Sequence, residues 1–205
     1  MNVLVIAEHN NQTLNPAVRH AVSAAAKLGG VHLLVAGSGA AAVAEQAVKI
    51  VGVEKVLLAD APHYAEALAE ELAPLVVSLA ADYRYIASAA DAFGKNLMPR
   101  IAALLDCSQV SDVVEIIDGD TFVRPIYAGN ALVTLKCTEP KLVLTFRTTA
   151  FDAAADGGSA ETVSAAPTPA RNISRFVSRE LPQSERPELT QARVVVSGGK
   201  GLGGK

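Results

Sequence analysis

Short apolar runs rich in β-branched residues recur along the first hundred positions, and each precedes a segment with apolar residues at helical spacing. Runs of this length predict buried strands, and spacings of three and four residues predict amphipathic helices between them. The predicted strands cover residues 2–7, 31–36, 55–59 and 83–88. Strands that alternate with helices require crossover connections. The pattern therefore predicts an α/β fold, with a mostly parallel sheet covered by helices on both faces.

Local signals mark where these helices begin and end. Asn15 and Pro16 predict the start of the first helix, with Asn as the capping residue and Pro in the first turn, and a Gly-Gly pair at 29–30 ends it. In the third helix, Pro74 predicts a kink or a local loosening. The pair Glu70 and Glu71 lies opposite the apolar stripe of that helix, and we expect both side chains to face solvent.

The pattern changes after residue 112. Four strand-like runs, at 112–117, 121–127, 131–136 and 141–146, are separated by short turns, including a strong hairpin signal at Asp118-Gly119. They predict an antiparallel meander that extends the sheet or packs beside it. Residues 124–130, with the tight Ala-Gly-Asn sequence, are a candidate surface for a partner. The alternative is a plain hairpin turn, with Arg124 as a structural anchor.

Composition shifts again towards the end of the chain. Residues 152–170 are rich in Ala, Gly, Ser, Thr and Pro and predict an irregular segment, and 171–187 mixes arginines, acids and a few apolar residues. A β-branched run then begins at Val194 and passes into a glycine-rich loop. We therefore divide the chain into an α/β domain at 1–190, with an irregular exit segment at 152–190, and the first strand and glycine loop of an incomplete second domain at 191–205.

Charge and cysteine content exclude several classes of function. The net charge of −3 and the lack of a basic block argue against a nucleic-acid partner. Cys107 and Cys137 fit no metal or redox motif, and the four histidines are scattered. The sequence shows no nucleophile elbow, no signal sequence and no long apolar span. It predicts a cytoplasmic protein that is not embedded in a membrane and has no hydrolytic activity.

Two glycine-rich stretches are candidate phosphate sites. In the first, Gly37, Gly39 and Ala42 follow a strand as G-x-G-x-x-A, and Asp60 ends the next strand. This arrangement fits a dinucleotide loop, although a tight turn capped by Asp60 is the more common cause of such a pattern. The second is the tail at 199–205, which matches the P-loop pattern, the dinucleotide pattern and a flexible terminus alike. Glu8 and His9 end the first strand, where α/β sites form, although such pairs often only anchor loops.

Several longer stretches of the sequence are distinctive. They are V-L-V-I-A-E-H-N-N at the start, A-F-G-K-N-L-M-P-R-I-A-A-L-L-D at 92–106, T-F-V-R-P-I-Y-A-G-N-A-L at 121–132, L-V-L-T-F-R-T-T-A-F at 142–151, E-R-P-E-L at 185–189 and V-V-V-S-G-G-K-G-L near the end. Together they resemble one family, the alpha subunit of electron transfer flavoprotein. The resemblance covers essentially the whole chain in order, and R-P-I-Y-A-G-N-A is its most specific piece.

The resemblance implies a role in electron transport. Proteins of this family pair with a beta subunit as a flavoprotein heterodimer that carries FAD. They accept electrons from dehydrogenases, such as the acyl-CoA dehydrogenases of fatty acid beta-oxidation, and pass them to a quinone oxidoreductase. The family's N-terminal domain resembles adenine-nucleotide-hydrolase-like folds but holds no nucleotide and supplies scaffold and interface. The resemblance thus implies an electron-transfer subunit and no enzyme.

The resemblance also implies where FAD contacts this chain. The family's S-G-G-R-G loop falls on Ser197, Gly198, Gly199, Lys200 and Gly201. Lys200 replaces an arginine, which keeps the charge and loses the planar fork. The other flavin contacts of the family lie beyond residue 205, so we expect a truncated subunit that does not hold FAD by itself. Two alternatives stay open: a nucleotide-binding enzyme that uses residues 37–42, and a naturally short interaction module.

Overall fold

The alternation of strands and helices predicted for the first hundred residues is present in the computed structural model, which describes residues 2–180, 189, 192 and 194–203. The helices are α1 (Ala17–Ala25), α2 (Ala41–Ala47), α3 (Ala69–Leu79) and α4 (Ala92–Leu105). The strands are β1 (Asn2–Ile6), β2 (Gly30–Gly37), β3 (Val53–Asp60), β4 (Tyr85–Ala89), β5 (Gln109–Val113), β6 (Glu115–Ile116), β7 (Thr121–Ile126), β8 (Ala131–Lys136), β9 (Leu142–Phe146) and β10 (Glu161–Ser164).

Seven strands form one parallel sheet in the order β10-β3-β2-β1-β4-β9-β5. Alternate residues of β1 point to opposite faces, so Val3 and Val5 join one core cluster and Leu4 and Ile6 join another. The first cluster packs under α1 and α2, and the second packs under α3 and α4. The predicted α/β fold with helices on both faces is therefore confirmed.

The predicted four-stranded meander is wrong in two of its strands. The run at 141–146 does form a strand, but β9 lies inside the parallel sheet between β4 and β5. All five of its residues are buried, as is typical of a central parallel strand that is covered on both faces. The run predicted at 112–117 is divided between β5, at the edge of the parallel sheet, and the short strand β6.

The remaining part of the meander is a separate antiparallel sheet, β6-β7-β8. The turn at Asp118-Gly119 joins β6 to β7, as predicted, and Ile117 N–H donates to the carbonyl of Thr121 at 3.0 Å. The phenol of Tyr85 donates to the Gly119 carbonyl at 2.8 Å, and Arg84 forms an ion pair with Asp120. Through these contacts the turn is held at the amino end of β4. The small sheet thus packs beside the large one.

The segment at 152–170 was predicted to be irregular, and this is wrong for β10. Residues 161–164 pair in parallel with β3 and form the edge of the sheet. The sequence E-T-V-S contains a single apolar residue because an edge strand is paired on one side only and its side chains are largely exposed. Hydrophobic patterning therefore gave no signal for it.

Polar side chains accept hydrogen bonds from the first turns of two helices near the carboxyl end of the sheet. The side-chain oxygen of Asn15 accepts a hydrogen bond from Ala17 N–H at 2.9 Å, which confirms the predicted start of α1. The Asp91 carboxylate accepts from Gly94 N–H at 2.8 Å at the start of α4. The predicted helix around Pro74 is α3, which contains this proline. These helix starts place Asn15 and Asp91 next to the end of β1.

The strand predicted from Val194 is wrong for the described residues of that segment. Residues 194–199 form no strand, and Lys200–Leu202 is a short 3₁₀ turn. A strand needs a neighbour for its backbone hydrogen bonds, and these valines are exposed. The division into domains at 190 and 191 stays a prediction.

None of the helices within the described ranges has both the length and the apolar character needed to cross a lipid bilayer. The same part of the chain contains no group of three or more His, Cys, Asp or Glu side chains placed to hold a metal ion.

Candidate functional sites

A cavity of about 510 Å³ lies at the point where the direction of the strand order changes. From β1, the chain proceeds to β2 and β3 on one side and to β4 on the other, so the connections diverge at the carboxyl end of β1. Open α/β sheets bind ligands in this position. The cavity is lined by Glu8, His9, Asn10, Asn11, Thr13, Leu14, Asn15, Ala65, Glu66, Ala67, Phe93 and Arg179. Glu8 and His9, predicted as a strand-end pair, are therefore part of this crevice.

The charges in this cavity are poorly suited to a phosphate. Partial burial and the neighbouring Asp91 carboxylate raise the pKa of Glu8 from 4.5 to about 7. Asp91 Oδ2 is buried and has no hydrogen-bond partner among the described residues. Asn15 Nδ2 donates a hydrogen bond to Glu8 Oε2, which opposes the rise in the Glu8 pKa. Burial lowers the pKa of His9, which favours the neutral imidazole. The positive charge of Arg179 is paired with Glu66 at 3.1 Å.

The raised pKa of Glu8 gives a testable dependence of stability on pH. Between pH 4.5 and about 7 the folded chain keeps a proton that the unfolded chain releases, so this contribution to stability falls as the pH rises. Glu8→Gln keeps the shape and removes the charge. We expect the unfolding free energy of the variant, relative to the original chain, to rise by about 1 kcal/mol between pH 4.5 and 7.5, discounted for partial exposure.

Urea unfolding at a series of pH values measures this difference. Glu45→Gln, on the exposed side of α2, is the matched control. A Glu8→Gln difference that stays constant over this range, or that falls, would contradict the raised pKa of Glu8.

The backbone N–H groups at the start of the loop at 37–42 already donate hydrogen bonds to side chains of the protein. Gly39 N–H and Ala40 N–H donate to the Asp60 carboxylate at 2.9 and 3.2 Å, and Ser38 N–H donates to Asn11 Oδ1 at 3.0 Å. A Cβ on Gly37 would lie 2.3 Å from Asn11 Oδ1, so glycine is needed here for close packing. A bound phosphate needs these same N–H groups. The geometry therefore matches the tight turn capped by Asp60 and gives no support to a dinucleotide loop.

The loop predicted to contact FAD lies in the described part of the tail. Ser197, Gly198 and Gly199 precede the 3₁₀ turn that contains Lys200 and Gly201, and Leu202 N–H donates to the Gly199 carbonyl at 3.0 Å. Nothing lies within 4 Å of a Cβ built on Gly199 or Gly201, so the backbone is open to approach at both positions. The five residues are consecutive, and only Lys200 and Gly201 belong to the 3₁₀ turn. Their contact with FAD stays a prediction.

The hairpin of the antiparallel sheet presents an exposed and strained turn. Residues 127–129 connect β7 to β8, which confirms the hairpin interpretation of Ala128-Gly129-Asn130. Tyr127 and Ala128 have φ values of 50° and 55°, where side chains are disfavoured, and Tyr127 is 80% exposed. Leu132, on β8, is 67% exposed. The turn and the neighbouring Leu132 therefore form an exposed apolar surface at this end of the hairpin.

Sequence reasoning missed one buried charge. Glu71 was predicted to face solvent, but its side chain is 3% exposed and its carboxylate accepts hydrogen bonds from Arg171 and Asn172 N–H. The residues that cover it are a hundred positions away in the chain, so helical periodicity could not reveal them.

Comparison with known proteins gives consistent matches over nearly the whole chain. A model of the electron transfer flavoprotein domain family matches residues 3–170. The chain is 50% identical to electron transfer flavoprotein subunit alpha of Pseudomonas aeruginosa, over 98% of this chain and 66% of that protein. The identity to the protein of the same name in Bradyrhizobium diazoefficiens is 52%, over 98% of this chain and 65% of that protein. The identity to the mitochondrial electron transfer flavoprotein subunit alpha of Dictyostelium discoideum is 45%, over 97% of this chain and 61% of that protein. The chain thus spans about two thirds of the length of these relatives.

Proposed function

Because this chain belongs to the electron transfer flavoprotein domain family, we propose that it is the scaffold and interface part of an alpha subunit that transfers electrons together with a beta subunit. The observation that carries the proposal is the identity of about half of the residues to alpha subunits over nearly the whole chain. In this proposal the heterodimer, with FAD bound, works in the cytoplasm. It accepts electrons from dehydrogenases, such as acyl-CoA dehydrogenases, and passes them to a quinone oxidoreductase.

The β7–β8 hairpin is the surface that we assign to the beta subunit. The exposed Tyr127 and Leu132 offer apolar area, and the left-handed turn makes the backbone project from the sheet. Arg124 Nε, on β7, is buried, and no acceptor among the described residues reaches it. Because this nitrogen is inaccessible from outside, it offers no contact to a partner, and the assignment rests on the exposed side chains and the turn.

Substitution of an exposed leucine tests this assignment. We expect the chain to co-elute with a co-expressed beta subunit in size-exclusion chromatography, and Leu132→Asp to weaken the pair at least about tenfold, because it buries a charge in the interface. The matched control is Leu104→Asp, which replaces a leucine that is 54% exposed on α4. Equal co-elution of both variants would place the interface elsewhere. Failure of the unmodified chain to co-elute would contradict the proposed subunit role.

The residues at 197–201 fit one edge of an FAD site. Gly199 and Gly201 leave the backbone open to a diphosphate, and the charge of Lys200 has the sign that a diphosphate requires. FAD supplies the electron-accepting chemistry when it is bound. In this proposal the role of the described loop is to present its open backbone and the charge of Lys200 to the diphosphate.

The absorbance of the same chromatographic fractions tests the cofactor. We expect the chain alone to retain no stoichiometric flavin after mixing with FAD and gel filtration, because a single exposed loop buries too little of a ligand of this size. The full-length alpha subunit with its beta subunit is the positive control. A stoichiometric flavin on the isolated chain would contradict the proposed division of the site.

A further inference from the structure

The chain that leaves β10 runs back along the α3 side of the sheet and is tied there at two points. The first point is Tyr64, which is fully buried and whose hydroxyl accepts a hydrogen bond from Thr168 N–H at 2.9 Å. The same hydroxyl lies 3.1 Å from Thr168 Oγ1. Earlier in the same segment than Thr168, Ala165 N–H donates a hydrogen bond to the Leu58 carbonyl at 2.8 Å. Residues 165–168 are therefore held by backbone hydrogen bonds to the body of the fold.

The second point is the buried carboxylate of Glu71, in the first turn of α3. Arg171 N–H donates to Oε2 at 2.8 Å and to Oε1 at 3.1 Å, and Asn172 N–H donates to Oε1 at 2.8 Å. Asn172 has a φ of 53°, a left-handed conformation that asparagine tolerates better than most residues and that turns its N–H towards the carboxylate. Burying a carboxylate without such donors is costly, so these two N–H groups and Glu71 depend on one another.

Contacts beyond Asn172 are of a different kind. Ile173 and Val177 are largely exposed. Arg179 lies over the ring of Phe176 and pairs with Glu66, but both members of this ion pair are accessible to solvent. Exposed ion pairs contribute little to holding a segment in place. The strength of attachment therefore drops between Asn172 and Ile173.

We propose that Tyr64 and Glu71 form a latch that fixes residues 165–172 to the α/β body, so that the rigid part of the chain ends at Asn172 and any hinge lies immediately after it. The latch is a property of residues 2–172 and does not require the proposed electron-transfer function. If that function holds as well, Glu71 is a positioning residue that sets the starting point of the arm leading to the flavin-binding part.

Hydrogen exchange of single amides in the 205-residue chain tests the latch. We expect the amides of Thr168, Arg171 and Asn172 to be protected and those of 173–180 to exchange freely. Glu71→Ala is expected to speed exchange at Arg171 and Asn172 by at least about tenfold while β1 and β4 keep their protection. The matched control is Glu70→Ala, at the neighbouring position of α3, which should change neither amide. Tyr64→Phe removes only the hydroxyl and is expected to release Thr168 alone.

Trypsin supplies a second readout, because Arg171, Arg175 and Arg179 follow one another across the proposed end of the rigid part. We expect cleavage after Arg175 to be faster than after Arg171, and Glu71→Ala to remove this difference. The latch is overturned if Arg171 and Asn172 are unprotected in the original chain, if Glu71→Ala leaves their exchange unchanged, or if it speeds exchange equally in β1 and β4. None of these results depends on beta-subunit binding, so failure of the latch and failure of the proposed function are distinguishable.

Discussion

Gly94→Ala is expected to destabilise the chain by about 3 kcal/mol, one of the two largest effects that we expect from a single substitution. Gly94 is buried in the first turn of α4, where a Cβ would lie 2.0 Å from the carbonyl oxygen of Ala89, at the end of β4. The obstacle is backbone, so no flexible side chain can move aside. Either α4 retreats from the sheet or the end of β4 is displaced, and both break the packing of the α3–α4 face.

Thermal and urea unfolding measure this effect, which corresponds to a fall in Tm of about 6–12 °C for a chain of this size. Gly201→Ala is the control, because nothing lies within 4 Å of a Cβ at that position, and it should stay within about 0.5 kcal/mol of the original chain. A Gly94→Ala variant as stable as Gly201→Ala would show that α4 does not approach β4 as closely as described.

The stretch around Gly94 illustrates what sequence reasoning could and could not supply. The family resemblance singled out A-F-G-K-N-L-M-P-R, and helical spacing predicted α4. Neither the resemblance nor the helical spacing indicated why residue 94 must be glycine. The reason is its close contact with the end of β4, the strand that precedes the helix. Local patterns predict elements, whereas close approaches between elements depend on how they pack.

β9 shows the same limit at the level of topology. Its strand character was predicted correctly, and its position in the parallel sheet was not. The signal was present in the sequence, since L-V-L-T-F is almost continuously apolar, as central parallel strands are, while A-L-V-T-L-K alternates in burial along β8. The short connection between the runs at 131–136 and 141–146 led to the wrong placement, because a short turn between two strands suggests a hairpin.

For the candidate sites, too, local patterns predicted where residues lie but not what they contact. Patterning placed Glu8 at the carboxyl end of β1 and Asp60 near the glycine loop, and both positions are confirmed. The roles depended on contacts between distant residues. The Asp60 carboxylate accepts hydrogen bonds from the loop N–H groups that a bound phosphate would need, and burial and the Asp91 carboxylate raise the pKa of Glu8. Neither relation can be deduced from spacing along the chain.

Phe122→Ala is the second substitution with a large expected effect, about 4 kcal/mol. Phe122 is fully buried on β7 and belongs to the core cluster that includes Val110, Leu144 and Phe146 of the large sheet. It is therefore the main apolar link between the two sheets, and its truncation leaves a cavity in a layer that cannot collapse without moving β7. The polar contacts of the neighbouring turn, from Tyr85 to Gly119 and from Arg84 to Asp120, do not replace that contact.

Urea unfolding of Phe122→Ala is best compared with Tyr127→Ala, which truncates an aromatic residue five positions further along the same hairpin but 80% exposed. We expect the exposed substitution to change the unfolding free energy by no more than about 0.5 kcal/mol. The two variants also separate packing from partner binding, because Tyr127→Ala should weaken the beta subunit complex while leaving the fold intact. Equal losses of stability in the two variants would mean that Phe122 does not join the sheets, and the hairpin would then have no rigid base from which to present its turn.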